Sequence, residues 1–187
     1  MAVSAVIFYN EGEELIKMKH ETKQRLLSTV LLLIYLALLT WIVLFKLSLS
    51  LDELPNMRNL NLIPYGASSI VNGRIDMKEI IYNVLIFIPL GLLLSMVMPK
   101  RGFMTKLFLV FAISVSFETM QYVWSIGGSD ITDVINNTLG GLGGLILYDL
   151  LELIFRNKTR LNKVLNFLGV VLGIVSITFL GYMLWLN

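Results

Sequence analysis

The sequence predicts an all-α integral membrane protein with five transmembrane helices in an N-in/C-out orientation. The first observation is composition: 56% of the 187 residues are hydrophobic, only 15% are charged, and the mean hydropathy is +0.77. Soluble domains carry about 25% charged residues. The second observation is that five apolar runs each approach the roughly 20 residues that cross a hydrocarbon core of about 30 Å. The chain has no cysteine and a single histidine, which excludes disulfides, thiolate chemistry and a His-rich metal site.

Basic clusters between the apolar runs predict the orientation. Lysines and arginines gather before the first run, between the second and third, and between the fourth and fifth, whereas the loop between the third and fourth has none. Under the positive-inside rule this alternation places the N-terminus in the cytoplasm and the C-terminus outside. The runs are Leu26–Phe45, Ile80–Met98, Leu107–Ile126, Ile131–Leu150 and Val164–Leu186.

The runs divide the chain into three regions. A cytoplasmic tail comes first, a membrane domain of four spans follows, and a cytoplasmic basic loop with the fifth helix comes last. The regions are residues 1–25, residues 26–150 with an outward loop at 46–79, and residues 151–187.

Two segments outside the spans have open interpretations. Residues 58–70 of the outward loop mix apolar side chains with one proline, which predicts an amphipathic segment on the outer leaflet or a re-entrant piece. Met18 fits the start of a protein that opens with an inside-anchored helix. The alternative for residues 1–17 is an acidic disordered tail.

The third and fourth runs contain polar residues at helical spacing. An ionisable side chain at the centre of a span costs about 2.5–3.5 kcal/mol on insertion scales, so it usually faces other helices or a wet cavity. Each run places its polar residues on one helix face. The two faces consist of Ser114, Glu118, Gln121 and Ser125 on the third run, and of Asp130, Asp133 and Asn137 on the fourth.

Glycines continue the polar face of the fourth run, and the second run adds further polar groups. Gly140 and Gly144 form a G-x-x-x-G spacing, which permits close backbone contact with a neighbouring helix. Asn83 lies near the outer end of the second run, which also contains Pro89, expected to kink the helix, and Gly91. Because all three runs place polar side chains in the outer half of the membrane, we expect them to converge on one outward-facing polar cavity.

A structural interpretation of the same residues competes with this one. Asp130 and Asp133 can cap the N-terminus of the fourth helix, where the helix dipole favours anions. Glu118 and Asn137 can be interhelical hydrogen-bond glue, worth about 0.6 kcal/mol on average. Glue does not need an ionisable group, however, and spans two to four offer no base at the depth of Glu118. We therefore expect its carboxyl to be protonated, or to face water, a cation or the positive group of a ligand.

The order and spacing of these motifs resemble the VanZ-like family of membrane proteins over about residues 26–150. The resemblance implies a bacterial membrane protein that lowers sensitivity to teicoplanin-type glycopeptides. Many members carry an arginine just before the first aspartate, but here that stretch reads "IGGSD", which weakens any proposal of an anion site there. The residues that carry the resemblance are Asn61 and Pro64, then Asn83, Phe87, Pro89 and Gly91, then Glu118 and Gln121, then Asp130, Asp133, Asn137 and Gly140.

Two functions compete for the predicted polar site. In the first, it engages an envelope lipid, a lipid-linked cell-wall precursor or the glycopeptide. In the second, an intramembrane enzyme acts on a lipid-linked envelope substrate, with Glu118 as acid or base and Asp130 and Asp133 binding a divalent cation, since oxygen ligands suit Mg²⁺ or Ca²⁺. The sequence has no nucleophile motif, no H-E-x-x-H and no phosphate loop, which favours the first function. A transporter is disfavoured because no internal repeat is present.

The prediction places the protein in the bacterial plasma membrane, with no cofactor, no resident metal and no nucleic-acid partner. The candidate ligand-binding residues are Glu118, Gln121, Asp133 and Asn137, supported by Asn83 and Asp130. The candidate structural residues are Asn61, Pro64, Phe87, Pro89, Gly91, Gly140 and Gly144.

Overall fold

Five long helices dominate the fold. A computed structural model describes residues 2–45, 57–66, 70–71, 74–75 and 77–186. Each helix contains a stretch long and apolar enough to cross a membrane, which confirms the five predicted spans. The inside and outside assignment of the termini stays a prediction. The helices are α1 (Ala2–Phe45), α2 (Met77–Val97), α3 (Phe103–Trp124), α4 (Ile131–Phe155) and α5 (Lys158–Leu186).

Short strands lie in two of the connections, and the sequence did not predict them. Two of them pair in parallel, with Met57 opposite Ile126 and Asn61 opposite Asp130. The other two form a minimal antiparallel pair. The segment expected to be amphipathic or re-entrant therefore begins as a strand. The strands are β1 (Met57–Asn61), β2 (Ile70–Val71), β3 (Arg74–Ile75) and β4 (Ile126–Asp130).

The ends of two helices differ from the predicted ends. Helix α1 begins at Ala2, so the region expected to be a tail is helical, and the candidate membrane-spanning part of α1 begins at Met18. Helix α3 ends at Trp124 because Ser125 adopts the left-handed conformation, with φ of 58°, and its backbone N–H donates to the last carbonyls of the helix. Placing Ser125 on the helical face of Glu118 was therefore wrong.

The chain divides into two compact units, of which the first comprises Met1–Leu31 and Leu151–Asn187. Within it, the buried side chain of Asn166 on α5 joins two residues of α1. The Ser28 hydroxyl donates to Asn166 Oδ1 at 2.9 Å, and Asn166 Nδ2 donates to Gln24 Oε1 at 2.8 Å. In a lipid environment such side-chain bonds between helices contribute about 0.6 kcal/mol each.

The second unit, Leu32–Leu150, contains the apolar core and the candidate site. The rings of Phe87 on α2 and Phe117 on α3 pack edge to face, with their centroids 6.4 Å apart. Helix α2 continues through Pro89, which cannot donate a backbone hydrogen bond to the preceding turn. Close to this position, the Tyr35 hydroxyl of α1 donates to the Ile86 carbonyl.

Helices α2 and α4 approach each other backbone to backbone. A Cβ atom added to Gly140 would lie 2.1 Å from the Val84 carbonyl oxygen. One added to Gly144 would lie 2.0 Å from the Ile88 oxygen, and one added to Gly91 would lie 2.1 Å from a carbonyl of α4. The close contact expected from the G-x-x-x-G spacing is therefore present, and the glycine of α2 forms the other side of it.

Candidate functional site

Polar side chains from three helices and two strands gather at one end of the second unit. This end, where α3 leads through β4 into α4, is called the sheet end below. The hydrogen bonds described next connect most of the candidate residues to one another or to adjoining backbone. The polar cluster consists of Asn61, Asn83, Ser114, Glu118, Gln121, Asp130, Asp133, Asn136 and Asn137.

Glu118 lies buried in the cluster, with 5% of its surface exposed. Its Oε2 accepts a hydrogen bond of 2.8 Å from the backbone N–H of Asp130. The carboxyls of Asp130 and Asp133 are near enough to interact with it electrostatically. Sequence reasoning offered water, a cation or a ligand as the partner of Glu118, whereas the structure provides the backbone amide at the junction of β4 and α4.

Asp130 occupies that junction and caps α4. Its Oδ1 accepts a 2.8 Å hydrogen bond from the Thr132 backbone N–H, in the first turn of the helix. From the paired strand, Asn61 Nδ2 donates to both carboxylate oxygens, at 3.1 and 3.2 Å. The predicted capping role is present, and the same side chain also joins β1 to the start of α4.

The remaining candidates make bonds between elements. Asn83 Nδ2 on α2 donates to Asp133 Oδ1 on α4 at 2.6 Å. Asn137 Nδ2 on α4 donates to the Ser114 hydroxyl oxygen on α3 at 3.0 Å. The Asn137 contact supports the hydrogen-bond glue interpretation, and the two contacts together join α2 and α3 to α4.

Gln121 connects the cluster to α1. Its Nε2 donates to the Val43 carbonyl at 2.9 Å, close to the C-terminal end of that helix. The last carbonyls of a helix have no partner within it, so this side chain satisfies one of them. Gln121 is itself buried. It therefore positions the end of α1 beside α3.

Sequence reasoning missed the roles of Tyr65, Thr132 and Asn136. The turn after β1 places Tyr65 at φ 53° directly after Pro64, an arrangement typical of a type II turn. The Tyr65 N–H donates to Thr132 Oγ1 at 2.9 Å, and its hydroxyl donates to Asn136 Oδ1 at 3.1 Å. Helical spacing in the sequence could have identified Asn136, because it lies three residues after Asp133 and four before Gly140, on the same helix face.

Two amide atoms in the cluster lack partners among the described residues. They are Nδ2 of Asn136 and Oδ1 of Asn137, on side chains that are 1% and 2% exposed. Buried polar atoms nearly always have a partner, and an unmade bond costs about 1–3 kcal/mol. The cluster therefore offers one donor and one acceptor beyond its internal network.

Arg58, a basic residue on β1, binds the end of α3. Arg58 of β1 donates to the carbonyls of Tyr122 and Val123 at 3.2 and 3.1 Å, and its guanidinium lies 5.3 Å from the Tyr122 ring centroid. It thus complements the negative C-terminal end of α3.

Replacing Arg58 by methionine should destabilise the protein by about 1 kcal/mol, since it removes both carbonyl bonds and the ring contact. Thermal unfolding in detergent, followed by circular dichroism, measures this effect. Arg58→Lys should be intermediate, because lysine keeps the charge but lacks the planar fork. An unchanged melting temperature for Arg58→Met would contradict the capping role.

No three or more His, Cys, Asp or Glu side chains among the described residues form a group that could hold a metal ion. Asp130 and Asp133 instead contact asparagine side chains. The metal-binding version of the enzymatic alternative therefore gains no structural support.

The helices and their buried polar network define a multi-pass α-helical membrane protein. A model of the VanZ/LLP1 family matches residues 32–152, which is more than half of the chain and nearly the same range as the second unit. The chain belongs to the VanZ/LLP1 family, and it is a bacterial membrane protein. It is 40% identical to Protein VanZ of Enterococcus faecium over 157 residues, covering 83% of this chain and 93% of that protein. No solved structure matches the chain.

Proposed function

We propose that the protein lowers the sensitivity of a bacterial cell to teicoplanin-type glycopeptides from a position in the plasma membrane. Membership of the VanZ/LLP1 family and 40% identity to Protein VanZ support this proposal. The structural observation that carries it is the convergence of buried polar side chains from α2, α3 and α4 at the sheet end. The distribution of basic residues in the sequence predicts that this end faces the outside of the cell, where glycopeptides act.

The polar cluster engages the head group of an envelope lipid, a lipid-linked cell-wall precursor or the drug. Asn136 Nδ2 and Asn137 Oδ1 supply a donor and an acceptor in a poorly hydrated region, where matched hydrogen bonds are strong. Glu118 supplies a buried carboxyl group that suits a ligand with a hydrogen-bonding group. A ligand that satisfies these atoms gains binding energy, because their bonds are otherwise unmade.

The enzymatic alternative has no specific observation in its favour. Glu118 is engaged with a backbone amide, and Asp133 accepts from Asn83. Both contacts fit residues that shape a site, and neither places an acid or base beside a nucleophile.

Drug sensitivity tests the proposal. The wild-type chain, expressed in a glycopeptide-sensitive Gram-positive host, should raise the minimum inhibitory concentration of teicoplanin more than that of vancomycin. Glu118→Gln should abolish the protection at equal amounts of membrane protein, because glutamine retains an oxygen that accepts from Asp130 N–H but removes the ionisable carboxyl group. Thr119→Val is the matched control, since Thr119 is the exposed neighbour on α3 and its hydroxyl donates to the Val115 carbonyl of its own helix.

Two results would contradict parts of the proposal. No protection by well-expressed wild type would remove the resistance function. Full protection by Glu118→Gln would be consistent with the resistance function. It would show that this function does not need the carboxyl group of Glu118.

A further inference from the structure

The turn that follows β1 exposes large apolar side chains. This apolar turn comprises residues 61–66, and 68% of Leu62 and 70% of Ile63 is exposed. Two bonds within the turn hold its backbone, from Ile63 N–H to Asn61 Oδ1 at 3.1 Å and from Gly66 N–H to the Ile63 carbonyl at 3.1 Å. The two side chains thus stand on a fixed backbone, and in water their exposure would be unfavourable.

Contacts with α4 hold the apolar turn beside the start of that helix. Tyr65 bonds to Thr132 and Asn136, the second and sixth residues of α4, and Ile131–Phe155 is long and apolar enough to cross a membrane. At 1.5 Å per residue, Asn136 lies about 7.5 Å along the axis from the first residue of α4. The turn therefore lies beside the first turns of a membrane span.

Aromatic residues independently mark the membrane surface at the same end. Trp124 is the last residue of α3 and is 54% exposed, and Tyr82 in the second turn of α2 is 63% exposed. Exposed tryptophan and tyrosine at the ends of membrane spans lie at the level of the lipid head groups. Tyr65, 40% exposed and bonded to the first turns of α4, lies in the same interfacial zone.

We propose that the apolar turn inserts into the lipid leaflet at the sheet end, where Leu62 and Ile63 contact phospholipid acyl chains. Lipid is the occupant because the turn is bonded alongside a span whose other exposed apolar side chains also face lipid. The bound Tyr65 holds the turn over Thr132 and Asn136, so lipid lies beside the polar cluster. A molecule diffusing in that leaflet would then reach the cluster from the bilayer. This inference does not depend on the proposed resistance function.

Site-directed spin labelling tests the insertion directly, since the chain contains no cysteine. Leu62→Cys and Ile63→Cys are labelled with a nitroxide in protein reconstituted into phosphatidylglycerol–phosphatidylethanolamine vesicles. Collision rates with oxygen and with a water-soluble nickel chelate are then compared. Phe108→Cys, at a 65% exposed position within α3, is the lipid-facing control. Arg101→Cys, exposed in the turn between α2 and α3, is the aqueous control.

Both labels on the apolar turn should collide severalfold more often with oxygen than with nickel, as the label at position 108 does. A water-like ratio at either position, matching position 101, would overturn the proposal. So would a lipid-like ratio that disappears when the protein is diluted in the vesicles, since a second copy of the chain would then be the occupant.

Discussion

Gly144→Ala is expected to lower the free energy of unfolding by about 3 kcal/mol, whereas Gly143→Ala leaves it nearly unchanged. The new methyl group at position 144 would lie 2.0 Å from the Ile88 carbonyl oxygen and 3.1 Å from the Gly91 Cα. Both neighbours are backbone atoms, so relief requires α2 and α4 to separate. Separation would also lengthen the bond between Asn83 and Asp133, which joins the same two helices.

Gly143 provides a matched control in the same helical turn. A Cβ atom added there meets nothing within 4 Å. Alanine also favours the helix over glycine by about 1 kcal/mol, so this variant can be slightly stabilised. Unfolding in mixed detergent–SDS micelles gives both free energies. Equal effects at the two positions would show that α2 and α4 do not depend on this contact.

Asp130→Ala is expected to cost about 2–3 kcal/mol, the second-largest effect. Loss of the helix cap removes about 1 kcal/mol. Loss of the acceptor for Asn61 Nδ2 removes a hydrogen bond to a charged group, worth about 1.5–3 kcal/mol. The contributions are not fully additive because one carboxylate makes both bonds.

Asp130→Asn separates these contacts from the charge. Asparagine caps helices about as well as aspartate and retains one oxygen to accept from Asn61. It should therefore cost clearly less than alanine in the same micellar unfolding measurement. If the alanine and asparagine variants were equally unstable, the charge of Asp130 would matter more than its capping and strand contacts.

The spans could be predicted because their signal is local. The length and apolar composition of one segment indicate that it can cross a bilayer, and its packing partners need not be known. The end of α3 was misplaced because Ser125 leaves the helical conformation while the surrounding sequence stays apolar. The strands were missed because β1 is short and polar, and its partner lies beyond two membrane helices.

The sequence predicted several residues of the candidate site, but not the hydrogen bonds that connect them. Helical periodicity placed Asp133 and Asn137 on one face. The free-energy cost of an ionisable side chain within a membrane span identified Glu118 as a candidate. The partner of Glu118 is a backbone amide, and its position depends on the path of β4 rather than on any side chain. Tyr65 reaches Asn136 from a turn after β1, in which Tyr65 itself adopts the left-handed conformation. Such contacts between distant segments leave little trace in a single sequence.

The parallel pairing of β1 with β4 also orders the assembly of the protein during synthesis. β1 leaves the ribosome before α2 and α3, whereas its partner follows them. Its ladder of backbone bonds can form only after both helices have crossed the bilayer in opposite directions. Until then the N–H and C=O groups of β1 must stay with water or a chaperone, because lipid cannot satisfy them. Closure of this small sheet thus marks the completion of membrane insertion for the first three spans.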